Sequence, residues 1–219
     1  ATSEDAEVQT RFLSELALTH PEIRGVVGWI DLYNDRAVEK IQEFQQYNSV
    51  KGYRIDAGRI SSILPPAMDL LLTGQYSLDL TLGGENDIAP LSRWLSAHPD
   101  QSFILRDAGH ADPKLLPSKT WETNIRELAK NQNLACKLSG LFIQGHWKTW
   151  KPTDFYPFLD ILFNSFGTDR LLFASDWPFL LLAGIYVQWK SLVEKFMEKY
   201  LPEDREKIFG ENARRLYRI

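Results

Sequence analysis

The chain has 219 residues, 44% apolar, 12% aromatic and 25% charged, a make-up that excludes a disordered or fibrous protein. Its net charge is −4 and it has no basic block, which argues against nucleic acid as a partner. The longest apolar stretch, 177–187, is broken by Pro178 and Gly184 and is too short to cross a bilayer, so no membrane partner is expected.

The single cysteine, Cys136, excludes an internal disulfide framework and fits a reducing compartment, so a cytoplasmic setting is expected. The acidic start, Ala1 to Glu7, is not a signal peptide. Without an initial methionine, the chain is expected to be processed, trimmed or part of something longer.

Apolar spacing predicts a helix over 3–19, with Phe12, Leu13, Leu16 and Leu18 recurring and Ser3, Asp5 and Glu7 in the first turn. His20-Pro21 ends it. A strand follows over 25–32, then a helix over 35–47 with Val38, Ile41 and Phe44 on one face. Val50 to Ile55 reads as a strand and Pro65 to Leu72 as a short helix with proline at its start. Residues 76–82 form a strand closed by Gly83-Gly84, and 88–98 a helix turned off by Pro99-Asp100. Residues 102–107 form a strand, leading into a loop that carries His110. A helix over 121–131, a strand over 134–140 and a loop with His146, Trp147 and Trp150 come next. The chain closes with a helix over 153–166, a last strand over 170–176, a helix over 186–199 and two short helices over 202–209 and 211–217.

Strict alternation of strand and helix predicts a parallel sheet with helices outside it. Right-handed crossovers leave a closed (β/α)8 barrel or an open doubly wound sheet. No Gly-x-Gly-x-x-Gly turn follows a strand, which disfavours a dinucleotide-binding open sheet. Polar residues end each predicted strand: Asp31, Arg54, Asp79, Asp107, Lys137 and Asp176. Such residues converging on one end suit the mouth of a barrel enzyme, although strand ends that meet solvent are often polar anyway. Six strand–helix units leave a barrel edge to be covered, so a homo-oligomer or a missing N-terminal segment is expected there.

The last strand is the most informative stretch. Leu171, Leu172 and Phe173 read as a strand buried on both faces, and Pro178 stops the ladder. Asp176 is thereby aimed out of the sheet edge where ligands bind in parallel folds, or it caps the following helix.

Several strings resemble the amidohydrolase-related family of metal-dependent hydrolases, in the branch of sugar lactonases and 2-pyrone-4,6-dicarboxylate lactonase. They are Arg24-Gly25-Val26-Val27-Gly28-Trp29-Ile30-Asp31-Leu32, Val50-Lys51-Gly52-Tyr53-Arg54 and Cys136-Lys137-Leu138-Ser139-Gly140-Leu141. They continue with Phe166-Gly167-Thr168-Asp169-Arg170-Leu171, Ala174-Ser175-Asp176-Trp177-Pro178 and Ile208-Phe209-Gly210-Glu211-Asn212-Ala213. The resemblance implies a distorted (β/α)8 TIM barrel whose first two units precede residue 1, so that residues 1–219 form a single incomplete barrel domain. It also exposes departures. The family's His-x-His strand is absent, Ile55 stands where a histidine is usual, Arg106-Asp107 replaces Asp-His, and Gln144 lies where an acidic residue is usual.

Several chemistries remain open. Zinc hydrolysis needs three or four converging ligands, and only His110, His146, Asp176 and Asp107 are candidates; the alternative is plain loop histidines. No cofactor is assigned, and the metal alternative is zinc through Asp176 with His110. A magnesium or calcium site from Asp31, Asp79, Asp107 and Asp176 requires all four to face one cavity.

Without a metal, Asp176 is the candidate general base, and Arg54 or Lys137 the oxyanion partner of a lactone or ester. The pyrone-dicarboxylate branch lends weight to that route. The structural alternative pairs Arg54 and Lys137 with neighbouring aspartates. Cys136 is read as inert packing, and Lys137 as a Schiff-base lysine only if desolvated. Trp147, Trp150, Trp177 and Phe179 either line a pocket mouth or pack helix to loop.

The reading is therefore a lactonase-like hydrolase of a small-molecule substrate. Asp176 and Arg54 are the catalytic candidates, and Lys137, Asp107, His110 and Trp177 the substrate contacts. The alternative is an inactive, truncated or engineered barrel scaffold, or a small-molecule binding protein that has lost the metal site.

Overall fold

The computed structural model describes residues 3–60, 64–83 and 88–219. The expected Gly83-Gly84 closure falls partly outside them, because Gly84 is not described.

Six parallel strands lie in chain order: β1 (Val26–Trp29), β2 (Val50–Asp56), β3 (Ser77–Thr81), β4 (Phe103–Leu105), β5 (Leu134–Leu138) and β6 (Leu171–Phe173). Sequential order decides between the two architectures. An open doubly wound sheet reverses direction at a switch point, whereas right-handed crossovers taken always to the next strand put every helix on one face. The fold is therefore barrel-like, a six-strand part of a (β/α)8 wall.

The two faces have different contents. The outer one, with Tyr53, Leu78, Leu80, Phe103, Leu105, Leu134, Cys136 and Leu138, packs into the main apolar core under the helices. In chain order the helices of the described residues are α1 (Ser3–Thr19), α2 (Ala37–Phe44), α3 (Pro66–Thr73), α4 (Ala89–Ser96), α5 (Lys119–Leu128), α6 (Leu141–Gln144), α7 (Pro152–Phe166), α8 (Tyr186–Phe196), α9 (Pro202–Glu206) and α10 (Asn212–Tyr217), and α2 to α8 supply the helix side of that core. The inner face has a smaller core of Ile104, Ala135 and Leu172, plugged from below by Leu216 and Tyr217 of α10. Strand register puts Arg54 beside Asp79, Asp79 beside Ile104 and Lys137 beside Leu172, so the polar members share this inner face.

The family-like strings near the C-terminus interlock. Asn212, buried at the start of α10, donates from Nδ2 to Thr168 O at 2.7 Å and Leu171 O at 2.8 Å. Arg215 donates to Asp169 O at 2.6 Å. Arg170 Nη1 reaches the carbonyls of Ala129, Asn131 and Leu134 at 3.0, 3.1 and 3.0 Å. The entry to β6 is thus fixed before the loop that carries Asp176 begins.

At the other edge, α1 lies against β1. Trp29 N donates to Thr10 Oγ1 at 2.9 Å, and that hydroxyl has Trp29 O at 3.1 Å and Ala6 O at 2.9 Å as acceptors. A helix hydroxyl so serves strand groups that a neighbouring strand would otherwise take.

Four expectations need adjustment. β4 and β6 are shorter than predicted: Asp107 and Ala108 take left-handed φ of 53° and 48°, and the Trp189 indole takes Ala174 O at 3.0 Å, ending each ladder. Asp176 therefore sits three residues beyond β6 rather than at its last position. Asp79 is not a strand-end residue: it is in the middle of β3 and 1% exposed. The loop after Gly140 begins with the short helix α6, started by the positive φ of Gly140.

Asn212→Ala leaves the buried Leu171 carbonyl and the half-buried Thr168 carbonyl without this donor, so a loss of about 1–3 kcal/mol in urea unfolding is expected. A change within experimental error would show that the staple to β6 is dispensable.

Candidate active site

The inner face ends at the C-terminal mouth in a cluster of charges built from alternate positions of neighbouring strands. Lys137 of β5 and Asp79 of β3 form an ion pair, Nζ to Oδ2, at 2.6 Å. Tyr217 donates its hydroxyl proton to Asp79 Oδ1 at 2.7 Å, and the Lys137 ammonium also stands 5.3 Å from the Tyr217 ring centre. Burial, and then the Asp79 charge, push the Tyr217 phenol well above its ordinary range. This cluster realises the structural alternative for Lys137: it is paired with an aspartate.

Arg54 of β2 behaves differently. Its Nε donates to Thr81 Oγ1 at 3.3 Å, and its guanidinium lies 5.4 Å from the Trp29 ring centre. Arg106, immediately after β4, points Nη1 at the same Thr81 oxygen at 3.5 Å. Among the described residues, neither guanidinium has a carboxylate within ion-pair distance. Desolvation, and then the Arg106 charge, push Arg54 below its ordinary value. Trp29, Asp31, Arg54, Asp56 and Arg59 line a cleft of about 520 Å³ open to solvent. Asp31 accepts from Arg59 there at 3.1 Å.

Asp176 is held by backbone. It takes φ of 57°, a left-handed conformation that aspartate tolerates better than most residues. Its Oδ2 accepts from Gly140 N at 2.5 Å. The carboxylate is therefore not the cap of the following turn, 179–182, which has no side-chain cap. Desolvation pushes the Asp176 carboxyl up to about 6; the Gly140 N–H pulls against that, the Asp107 charge adds to it, and Arg106 and Lys137 oppose it.

Asp107 is joined to the same peptide. Its N–H donates to Ser139 Oγ at 2.9 Å, and Ser139 Oγ donates to Asp107 Oδ1 at 3.1 Å. Gly140 makes this approach possible. Its φ is 78°, and a Cβ there would lie 2.8 Å from Asp107 Cβ and 2.9 Å from Asp107 Cα. Two buried tryptophans hold the two loops from below: Trp121 Nε1 donates to Ala108 O at 3.0 Å, and Trp189 Nε1 to Ala174 O at 3.0 Å.

The predicted residues thus divide. Asp176, Asp107, Arg106 and Lys137 are close enough for their charges to act on Asp176. Arg54 joins them through Thr81 and Arg106. His110 is exposed beyond the Asp107 turn, and Trp177 is exposed past Asp176. His146 lines a separate surface cleft with Lys114 and Trp147. Trp150 packs helix to loop, donating to Ala183 O at 3.0 Å. Cys136 is fully buried on the outer face, and burial pushes its thiol up, as inert packing requires. Sequence reading missed Arg106, Thr81, Ser139 and Tyr217 as members of the cluster. For the strand residues a signal existed: Arg54, Asp79, Thr81, Arg106 and Lys137 share one parity across paired strands. For Tyr217 there was none.

Among the described residues, no three His, Cys, Asp or Glu side chains come together as a metal would require. Asp79 is taken by Lys137 and Tyr217, and Asp31 by Arg59. The described residues by themselves therefore do not make a donor set that fits zinc, magnesium or calcium. No helix among the described residues is long and apolar enough to cross a membrane.

The amidohydrolase family model matches residues 3–219. An L-fucono-1,5-lactonase of Burkholderia multivorans is 30% identical, with 96% of this chain and 77% of the relative covered. A solved amidohydrolase from Burkholderia multivorans with bound zinc has a TM-score of 0.85 at 29% identity, covering 96% of this chain and 78% of its own. A probable 2-pyrone-4,6-dicarboxylic acid hydrolase from Acinetobacter baumannii shares the fold, with a TM-score of 0.73 at 13% identity, covering 96% and 79%.

Gly140→Ala forces a Cβ into the Asp107 backbone at a positive φ, so a loss of about 2–4 kcal/mol is expected in denaturant unfolding. An Ala variant as stable as wild type would remove the close approach as a constraint.

Asp176 gives a pH signature with a definite sign. Below pH about 4 its carboxyl is protonated in both folded and unfolded states; between about 4 and about 6 the folded state keeps a proton that the unfolded state has released. Its contribution to stability is therefore full at acid pH and falls as pH rises to about 6. The stability of wild type minus that of Asp176→Asn should decline across this window and level off above it. A difference that rises with pH contradicts the raised carboxyl.

Proposed function

The chain belongs to the amidohydrolase family, and from that premise we propose that it hydrolyses a lactone or a similar small cyclic ester, with Asp176 as general base. The observation that carries this reading is a half-buried carboxyl at the mouth, pushed up to about 6 by desolvation and within reach of the charges of Arg106 and Lys137. Such a group is ionised at neutral pH yet basic enough to take a proton from water. The similarity to an L-fucono-1,5-lactonase supports the substrate class.

In the proposed reaction a water gives a proton to the Asp176 carboxylate while its oxygen attacks the lactone carbonyl carbon. The carbonyl electron pair moves onto oxygen, where Lys137 or Arg54 offers positive charge. When the carbonyl re-forms, the ring C–O bond breaks, and the departing alkoxide takes the proton back from Asp176. Water and lactone become one hydroxy acid, and Asp176 ends as it began. Asp107 is a polar wall of the same mouth, and His110 and Trp177 are candidate contacts with the outer part of the substrate.

A second reading is a barrel that binds a small molecule without turning it over. It is favoured by the pairing of Lys137 with Asp79, which offsets the charge of one of the two candidate oxyanion partners.

Asp176→Asn should lower lactone kcat/KM by about 100-fold or more. For wild type, kcat/KM should rise with pH and level off above about 6, because the base must be ionised. An unchanged Asn variant removes Asp176 from the chemistry. A folded wild-type protein that turns over no lactone favours the second reading.

A further inference from the structure

Three cations face the barrel interior near its mouth, and they are not equivalent. Lys137 is neutralised by Asp79 at 2.6 Å. Arg54 and Arg106 instead converge on the neutral hydroxyl of Thr81, at 3.3 and 3.5 Å. Among the described residues no carboxylate pairs with either of them. Both groups are only partly exposed, and each feels the other's charge.

Two guanidinium groups remain charged at any working pH, so placing them together away from bulk water is unfavourable unless something negative is shared between them. Asp107 and Asp176 are hydrogen-bonded to Ser139 and Gly140, and the Asp107, Asp56 and Asp79 charges act on Arg54 without pairing with it, so among the described residues no carboxylate bridges the two forks. Arg54 also lines the solvent-open cleft beside Trp29, so a ligand has a route to it. A planar anion that accepts from both forks matches this geometry, and a carboxylate is the simplest such group.

We propose that Arg54, Arg106 and Thr81 form a subsite for a carboxylate of the substrate, which makes the preferred substrate an acidic lactone rather than a neutral sugar lactone. The assignment of a lactone as substrate rests on the hydrolase reading above; the carboxylate subsite does not. Thr81 spaces the two forks, and its hydroxyl, an acceptor from both arginines among the described residues, keeps a proton to donate to the same anion. Arg106 then acts as a specificity residue: it sets which lactone is held and takes no part in the proton transfers.

The test compares D-glucaro-1,4-lactone, which carries a free carboxylate, with L-fucono-1,5-lactone, which does not. Binding of glucarate is measured separately by calorimetry. Wild type should turn over the acidic lactone with kcat/KM at least about tenfold above the neutral one. Arg106→Gln should reduce that ratio by about tenfold or more, mainly through a higher KM, and should weaken glucarate binding to match. Arg106→Lys, which keeps the charge and loses the fork, should lie between them, and urea unfolding of both variants checks that they are folded.

If the neutral lactone is turned over as well as the acidic one and glucarate binding does not depend on Arg106, the subsite is overturned while the hydrolase reading stands. If neither lactone reacts but glucarate binds in an Arg106-dependent way, the subsite stands and the lactonase reading falls. If wild type shows neither turnover nor glucarate binding, both are overturned. The wild-type preference and glucarate affinity decide the matter even where the variants do not fold.

Discussion

The contact between Lys137, Asp79 and Tyr217 is the interaction on which the inner half of this fold depends. A parallel sheet with its strands in chain order gives one face to helices and leaves the other to be filled by its own side chains. Here Ile104, Ala135 and Leu172 are too few to fill the inner face, and α10 rises into it from below. A buried carboxylate in that space is tolerable only with full satisfaction of its oxygens, and both are satisfied: one by Lys137, the other by Tyr217. The ion pair thus joins the floor to the mouth. It also offsets the Lys137 charge while leaving that ammonium further N–H donors, so the arginines carry the uncompensated charge presented to a ligand.

Above that layer the site is made by backbone as much as by side chains. Asp107, Ala108, His110 and Asp176 all adopt left-handed φ, and they lie in the two turns that follow β4 and β6. Left-handed residues other than glycine persist where the surroundings over-determine them. Trp121 and Trp189 each donate to a carbonyl within one turn, and the Ser139-Gly140 peptide bonds to both turns at once. One peptide therefore sets the separation of two carboxylates, and the mutual repulsion of those carboxylates contributes to the raised Asp176.

The sequence made the strand–helix alternation plain because each strand carries its apolar run and each helix its spacing; five of the six strands lie inside the predicted stretches, and β2 runs one residue beyond its own, to Asp56. Asp176 was legible for the same reason, as the polar residue between a buried run and a proline. What sequence could not supply was the register that brings residues of one parity side by side across strands. Asp79 read as a strand terminus, yet β3 runs on to Thr81 and buries it, because the register with β2 and β4 places it beside Arg54 and Ile104. The role of Tyr217 depends on where the last helix docks, a contact 138 residues distant in the chain, which no local pattern encodes. For the histidines residue type drew attention, and position leaves His110 exposed at the mouth side and His146 in another cleft.

Charge balance at the mouth ties these layers together. With Lys137 and Asp79 cancelling, two arginines face two aspartates, and the aspartates are tied to Ser139 and Gly140 instead of to the arginines. Had Asp176 paired directly with Arg106, its carboxyl would be held low and would be a poor base; burial without such a pair raises it to about 6. The geometry that keeps the arginines unpaired is therefore the same geometry that keeps Asp176 basic. A ligand carboxylate seated between Arg54 and Arg106 would take up some of the positive charge that now holds Asp176 down. Substrate binding and the strength of the base are coupled in sign, and an acidic substrate would meet a carboxylate made more basic by its own arrival.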